Sequence, residues 1–487
     1  MTYRGGYRSR RRKVIRNRII VISLFVVCLA LIGVCVKLLL DGKKQPAAAP
    51  AGTTEQGAEN STEETAGTTT AANEAEEILA EAELLFAQYD PDAAVEKIKS
   101  FAGYEAVPEM TDAVKKYQEA KATYTKVDVT KVTHVFYHTL IVDTSLALDP
   151  QHSGAQEAAN YNYVMTTMEE YAAIMQKMYD AGYVMVDIHD LAHIETDENG
   201  NEKMVQGEIY LPPGKKAFVL SQDDVSYYEY MEGDGFAAKL VLDENNNVVN
   251  EYKDAAGNVS YGSYDMIPMT EDFLKEHPDF SYRGARGIIA LTGYNGVLGY
   301  RTSDSENGPN RAADKTKWQL NPNIEEDKVK AKQVADRLKE LGWTFASHSF
   351  NHLDMFEMSL ESFQADTDLW EAEVQPIVGD TDVILYPKGA DPTGSWKEYP
   401  EDNQKINYLK QAGFRYFCTV DASPSWVQIS GNVFKQGRRN LDGYRLWEAV
   451  CALNGDSAYP NYKDRLSDLF DAREVFDKKR PTPVVPG

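Results

Sequence analysis

Residues 215–224 read KKAFVLSQDD, a short apolar run that stops on two adjacent carboxylates, Asp223 and Asp224. Neighbouring side chains of a β-strand point to opposite faces. At the strand's end both can turn toward one mouth, where one carboxylate binds a metal and the other stays free as a base. Aspartates also serve turns and helix N-caps, so the pair alone leaves both readings open.

The same kind of run recurs on either side. VTHVFYHTLIV (132–142) and YVMVDI (183–188) precede it; GIIALTGYN (287–295), WTFASHS (343–349), DVILYPKG (382–389) and RYFCTVD (415–421) follow. Helical patterns at Met165–Ala181, Glu325–Leu341, Ser359–Val378 and Asn403–Ala412 lie between them, with Gly182, Gly342 and Gly413 as stop signals. Alternating strands and helices predict a parallel sheet wrapped in helices. At this length a closed or nearly closed α/β barrel is favoured over an open sheet. Lys239–Tyr264 breaks the pattern: DENNN and DAAGN separate short β-like runs, which predicts a hairpin insertion.

Function in such folds sits where the strands end. The run WTFA leads into Ser347-His348-Ser349-Phe350-Asn351-His352. Histidines at i and i+4 share one face of a helical turn, within reach of one ion. A core histidine beside a surface one is the plainer alternative. No Glu follows His348, so the HExxH peptidase pattern is absent; nor is there a phosphate loop or a nucleophile elbow.

Aspartate pair and histidine pair together resemble the first two motifs of the polysaccharide deacetylases, the NodB-homology family, over roughly 130–446. The resemblance implies a distorted, incomplete (β/α) barrel. It implies Asp223 as catalytic base, and Asp224, His348 and His352 as ligands of a divalent metal, zinc above all. The first motif departs from the family's Thr-Phe-Asp-Asp-Gly, reading Ser221-Gln222-Asp223-Asp224-Val225. Tyr386-Pro387-Lys388-Gly389 stands at the third motif without its arginine; Arg438 or Arg439 are candidate substitutes as partner of Asp223. Asp421 to Trp426 resembles the fourth. By this likeness Tyr386, Pro387 and Trp426 contact substrate. The fifth-motif histidine has no counterpart after His352. A circularly permuted branch, acting on poly-N-acetylglucosamine, carries it early in a Tyr-His pair; Tyr137-His138 matches, making His138 the general acid and His134 a decoy. Tyr227, Tyr228, Tyr294 and Trp426 are candidate sugar-stacking aromatics. Two rivals stand: a decayed, glycan-binding or scaffold protein on the same fold, and an O-acetyl esterase.

The N-terminal region reads differently. Ile19–Val36 is uncharged and apolar and continues past Lys37 to Leu40, long enough to span a bilayer. Eight basic residues precede it, so the tail 1–18 is expected in the cytoplasm and everything after the 19–40 span outside it. Residues 41–75, rich in Ala, Gly, Thr and Glu, read as a disordered tether, 76–125 as a helical neck, 126–475 as the deacetylase-like domain and 476–487 as a tail. The net charge is −24, yet the first 40 residues hold nine basic and no acidic side chains, which leaves the remainder at −33. Such an ectodomain repels nucleic acid; its expected partners are an acetylated polysaccharide and, through the span, the cell membrane. Of four cysteines only Cys418 and Cys451 lie beyond the span, so no disulfide framework is expected.

Overall fold

The computed structural model describes residues 63–307, 321–394 and 397–486. The basic tail, the apolar span and the tether up to residue 62 lie outside them. Among the described residues no helix is long and apolar enough to cross a membrane.

Seven strands build the centre: β1 (Thr133–Tyr137), β2 (Lys216–Gln222), β3 (Ile288–Leu291), β4 (Thr344–Ser347), β5 (Val383–Leu385), β6 (Tyr416–Val420) and β7 (Val433–Asn440). All pair in parallel, in chain order, and β7 returns to β1 through Arg439–Val135 and Asn440–Phe136. The ring closes where Ile288 and Ile289 of β3 pair with Ser221 and Gln222 of β2. The barrel is thus closed, which corrects the expectation of an incomplete one, and it is distorted as expected. The run at 183–188 contributes Tyr183–Met185, which pairs with the lower half of β2 and stays outside the ring. That lower half is therefore unavailable to β3, and closure rests on two residue pairs. β7 and its antiparallel neighbour Val427–Ser430 were not anticipated, because β7 carries three cationic side chains where a buried strand should be apolar.

The period-2 alternation sorts each strand's side chains into two environments. Outward residues such as Phe218, Leu220, Ile289 and Phe345 join the helices around the ring, among them Met168–Asp180, Ile324–Leu341 and Leu360–Glu373, in one large core. Inward residues divide by height. Val219, Ile288, Ala290, Ala346, Val383, Tyr416 and Phe434 fill the lower interior with apolar bulk. One step further along the same strands the inward positions turn polar: His134, Ser221, Gln436 and Arg438, all at 0% exposure. Ala192–Thr196 and Glu202–Gln206 form a hairpin contributing Ala192 and Met204 to the lower core.

The expected hairpin insertion is a three-stranded antiparallel meander, Ala237–Leu242, Val248–Lys253 and Val259–Gly262. The helical neck is present as Glu63–Ala87, Pro91–Lys99 and Pro108–Lys121, around Ala82, Ala94, Ile98, Met110 and Tyr117. Its first helix begins at Glu63, thirteen residues before the expected boundary at 76, so residues 63–75, expected as disordered tether, are helical. The neck docks through the Tyr89 hydroxyl, which donates to the Asp279 carbonyl (2.7 Å), and through an Arg283–Asp90 ion pair. Cys418 and Cys451 are both free and buried.

The C-terminal segment is stapled rather than loose. Arg480 and Glu170 form an ion pair with both side chains at 0% exposure, and the guanidinium also donates to the carbonyls of Asn162 and Met165. Removing one member of such a pair strands the other charge. Arg480→Met is expected to cost about 3–5 kcal/mol in urea unfolding; a cost below 1 kcal/mol contradicts this account.

At the lower rim His189 donates to Asp187 (2.6 Å) and Asp382 (2.9 Å). Burial favours the neutral ring, but the two carboxylates outweigh it and push the pKa up to about 10. In the unfolded chain it returns to about 6.5. The charged ring therefore contributes its full stability below about pH 6.5 and loses it as pH climbs toward 10. Thermal melts should show that decline in the parent and a flatter one in His189→Gln.

Candidate active site

The polar inward layer continues to the mouth of the barrel. Asp223 follows β2, and Arg438 reaches it from β7 with two parallel hydrogen bonds, Nη1 to Oδ1 at 2.6 Å and Nη2 to Oδ2 at 2.9 Å. The guanidinium is fully buried and lies 4.3 Å from the ring centroid of Phe136. Bidentate geometry and exclusion of water make this a strong pair. Burial works against the Asp223 carboxylate, but Arg438, then His348 and His138, outweigh it and hold the group ionised far below the usual range. Arg439, one residue on, points outward to Asp468. Of the two candidates for the arginine missing from the third motif, Arg438 is the partner.

His134, the decoy, is a satisfied core histidine. Its Nδ1 meets Gln436 Oε1 (3.0 Å) and its Nε2 Ser221 Oγ (2.9 Å). Burial, with Arg438 alongside, keeps it neutral, its pKa pulled down to about 3.

Asp224, His348 and His352 each present a ligand atom within 4.8 Å of the others'. His348 is held by its Nδ1–H, which donates to the Leu385 carbonyl at 2.7 Å and leaves Nε2 facing the site. Its burial lowers the pKa, though both aspartates oppose this, which favours the neutral imidazole that a metal needs. His352 Nε2 lies 3.7 Å from Asp224 Oδ2, and Asp224 Oδ1 accepts from the Tyr228 hydroxyl at 2.6 Å. Two imidazole nitrogens and one carboxylate oxygen, with His348 and Asp224 oriented by Leu385 and Tyr228, suit zinc with a coordination position left for water or substrate.

The two histidines do not meet on a helical turn as the i, i+4 spacing suggests. Residues 348–352 are irregular, with Ser349 and His352 at φ 54° and 53°. Asp366 holds this loop by accepting from the backbone N–H of Phe350 (2.7 Å) and of Asn351 (3.0 Å). Asp224 too is left-handed, at φ 59°. Non-glycine residues persist there only where their surroundings over-determine them.

His138 follows β1 at the same rim. Its ring lies edge-on to that of Phe136, with centroids 5.9 Å apart. Trp426 is half-buried, with the Lys435 ammonium 5.7 Å from its ring. Other expectations need correction. Tyr386 is fully buried with its hydroxyl on Tyr399 (2.9 Å), and Pro387 is buried beside it, so neither side chain offers a substrate surface. Tyr227 and Tyr228 are buried as well; their hydroxyls serve Asp265 and Asp224. Tyr230, 42% exposed and stacked on Tyr228, presents its ring to solvent beside them. Phenols drawn inward by buried carboxylates look, in sequence, like any surface tyrosine.

No family model matches the chain, and no curated protein matches it. Among solved structures one match is a Streptococcus pyogenes deacetylase, PplD, in complex with acetate. It is 16% identical, covering 66% of this chain and 94% of that chain, at a TM-score of 0.33. A likeness of that size leaves the reading of the site to its own geometry.

Zinc content after dialysis separates the groups. His348→Ala and Asp224→Ala should lose the metal, while Asp223→Asn should keep it near one per chain. Equal retention in all three contradicts the triad.

Proposed function

We propose that the chain is a metal-dependent hydrolase that removes N-acetyl groups from a cell-surface or cell-wall polysaccharide, tethered to the membrane by residues 19–40 with its barrel outside the cell. The observation that carries the reading is the Asp223–Arg438 pair beside the Asp224, His348 and His352 donor set. A decayed site has no need to retain a buried carboxylate on a substitute arginine, which weighs against the scaffold alternative.

Asp224, His348 and His352 would hold the cation, which supplies Lewis acidity toward an acetyl carbonyl and a nearby water. The chain's own groups do the rest. Asp223, kept ionised by Arg438, accepts a proton as the water oxygen bonds to the acyl carbon. His138, at the end of the neighbouring strand β1, gives a proton to the nitrogen as the C–N bond breaks, releasing acetate and a free amino sugar. His134 takes no part, since both its nitrogens are engaged. Trp426 and Tyr230 are the ring faces on which a sugar would stack.

Acetate release from N-acetylglucosamine oligomers and from O-acetylated glycans, assayed side by side, tests the proposal. N-acetyl substrates should be preferred. Asp223→Ala and His138→Ala should each lower kcat by about 10²–10⁴-fold with little change in KM. Release from O-acetyl esters alone contradicts the amidase reading, and full activity in either variant contradicts that residue's role.

A further inference from the structure

The first motif's departure at Gln222 has a partner elsewhere in the fold. Gln222 is fully buried and faces away from the metal side; its Nε2 donates to both oxygens of Asp265, at 2.9 and 2.8 Å, and lies 3.4 Å from the His138 carbonyl. Asp265 follows the meander insertion directly and stands at the start of the helix Met266–Glu276. It is at 0% exposure. Its Oδ1 also accepts from the backbone N–H of Leu140 (2.9 Å), and its Oδ2 from the Tyr227 hydroxyl (2.6 Å). No cation pairs with it among the described residues; neutral donors alone satisfy it, and burial lifts its pKa against their pull.

These contacts bracket the chemistry. Gln222 and Tyr227 stand at the two ends of the turn carrying Asp223 and Asp224, and both ends are tied to the same carboxylate. Within that turn Asp224 and Tyr227 hold φ of 59° and 45°, conformations that relax unless clamped. Leu140 lies two residues past His138, so the third tie fixes the neighbouring strand end. We propose that Asp265 is a positioning residue: it sets the distance between the strand end bearing His138 and the turn bearing Asp223 and Asp224. Gln222, where the resembled family carries phenylalanine, is the hydrogen-bonding half of that device, and the insertion delivers the other half.

The part of this inference that concerns turnover rests on the proposed deacetylase reading; the part that concerns the metal ligand does not. Cobalt(II) titration of the apoprotein, followed by visible absorption, reads the placement of Asp224 relative to His348 and His352 without any turnover. Outer partners of metal ligands are worth about 10–100-fold in affinity. Asp265 lies one bond further out, so Asp265→Ala should weaken cobalt binding by up to about 10-fold, the low end of that range, and change the d–d spectrum. It should lower kcat on N-acetyl oligomers while KM stays near the parent's, because no substrate contact is removed. Asp265→Asn, which keeps one acceptor oxygen, should fall between. Where Asp265→Ala does not fold, Gln222→Met breaks the same link at similar volume and carries the same expectation. Parental cobalt affinity, spectrum and kcat in the folded variant overturn the inference. A parent that binds cobalt but releases no acetate overturns the deacetylase reading instead, and leaves the cobalt comparison standing as the test of Asp265.

Discussion

A carboxylate and a guanidinium sealed together in the mouth of a barrel organise this molecule. Asp223 is 3% exposed and Arg438 fully buried, so each is tolerable only because the other is there. That one pair joins β2 to β7, strands lying on either side of β1 in the ring. It keeps Asp223 a carboxylate while Asp224, one residue later, turns to the histidines. Two neighbouring acids thereby receive different environments, one on a guanidinium and the other facing two imidazoles.

The height of the interior explains why the site lies where it does. Parallel strands place successive inward residues in layers. Here the lower layers are closed by Val219, Ile288, Ala346 and Phe434, and the polar ones follow directly above. The rim is then finished by loops held in costly conformations. Ser349, His352 and Asp224 are left-handed, and each loop has a buried aspartate bracing it, Asp366 for the histidines and Asp265 for the acidic turn. Rigid braces behind the aspartate turn and the histidine loop are what a preorganised site requires.

Much of this was legible in the sequence, for physical reasons. Apolar runs ending in Asp-Asp and in His-x-x-x-His announce strands that deliver donors to one end, and the structure brings both sets together. Arg438 was visible as a candidate but not as the answer, since only the ring order shows that β7 neighbours β1 and sits across from β2. The strand itself was hidden by its charges: Lys435, Arg438 and Arg439 make Val433–Asn440 look like a surface segment. Tyr227, Tyr228 and Tyr386 misled for the converse reason, because a tyrosine whose hydroxyl bonds a buried acid or another phenol has the same letter as one that stacks on a sugar. Asp265 lay beyond reach. It sits after an insertion, and nothing local distinguishes it from an ordinary helix cap.

The account stands on the convergence of Asp224, His348 and His352 on one cation. Anomalous diffraction at the zinc edge from crystals of the zinc-loaded protein measures it directly. The account predicts a single strong peak about 2.0–2.2 Å from a carboxylate oxygen of Asp224 and from one nitrogen of each histidine. A zinc-loaded crystal with no peak there, or with its peak on other side chains, contradicts it.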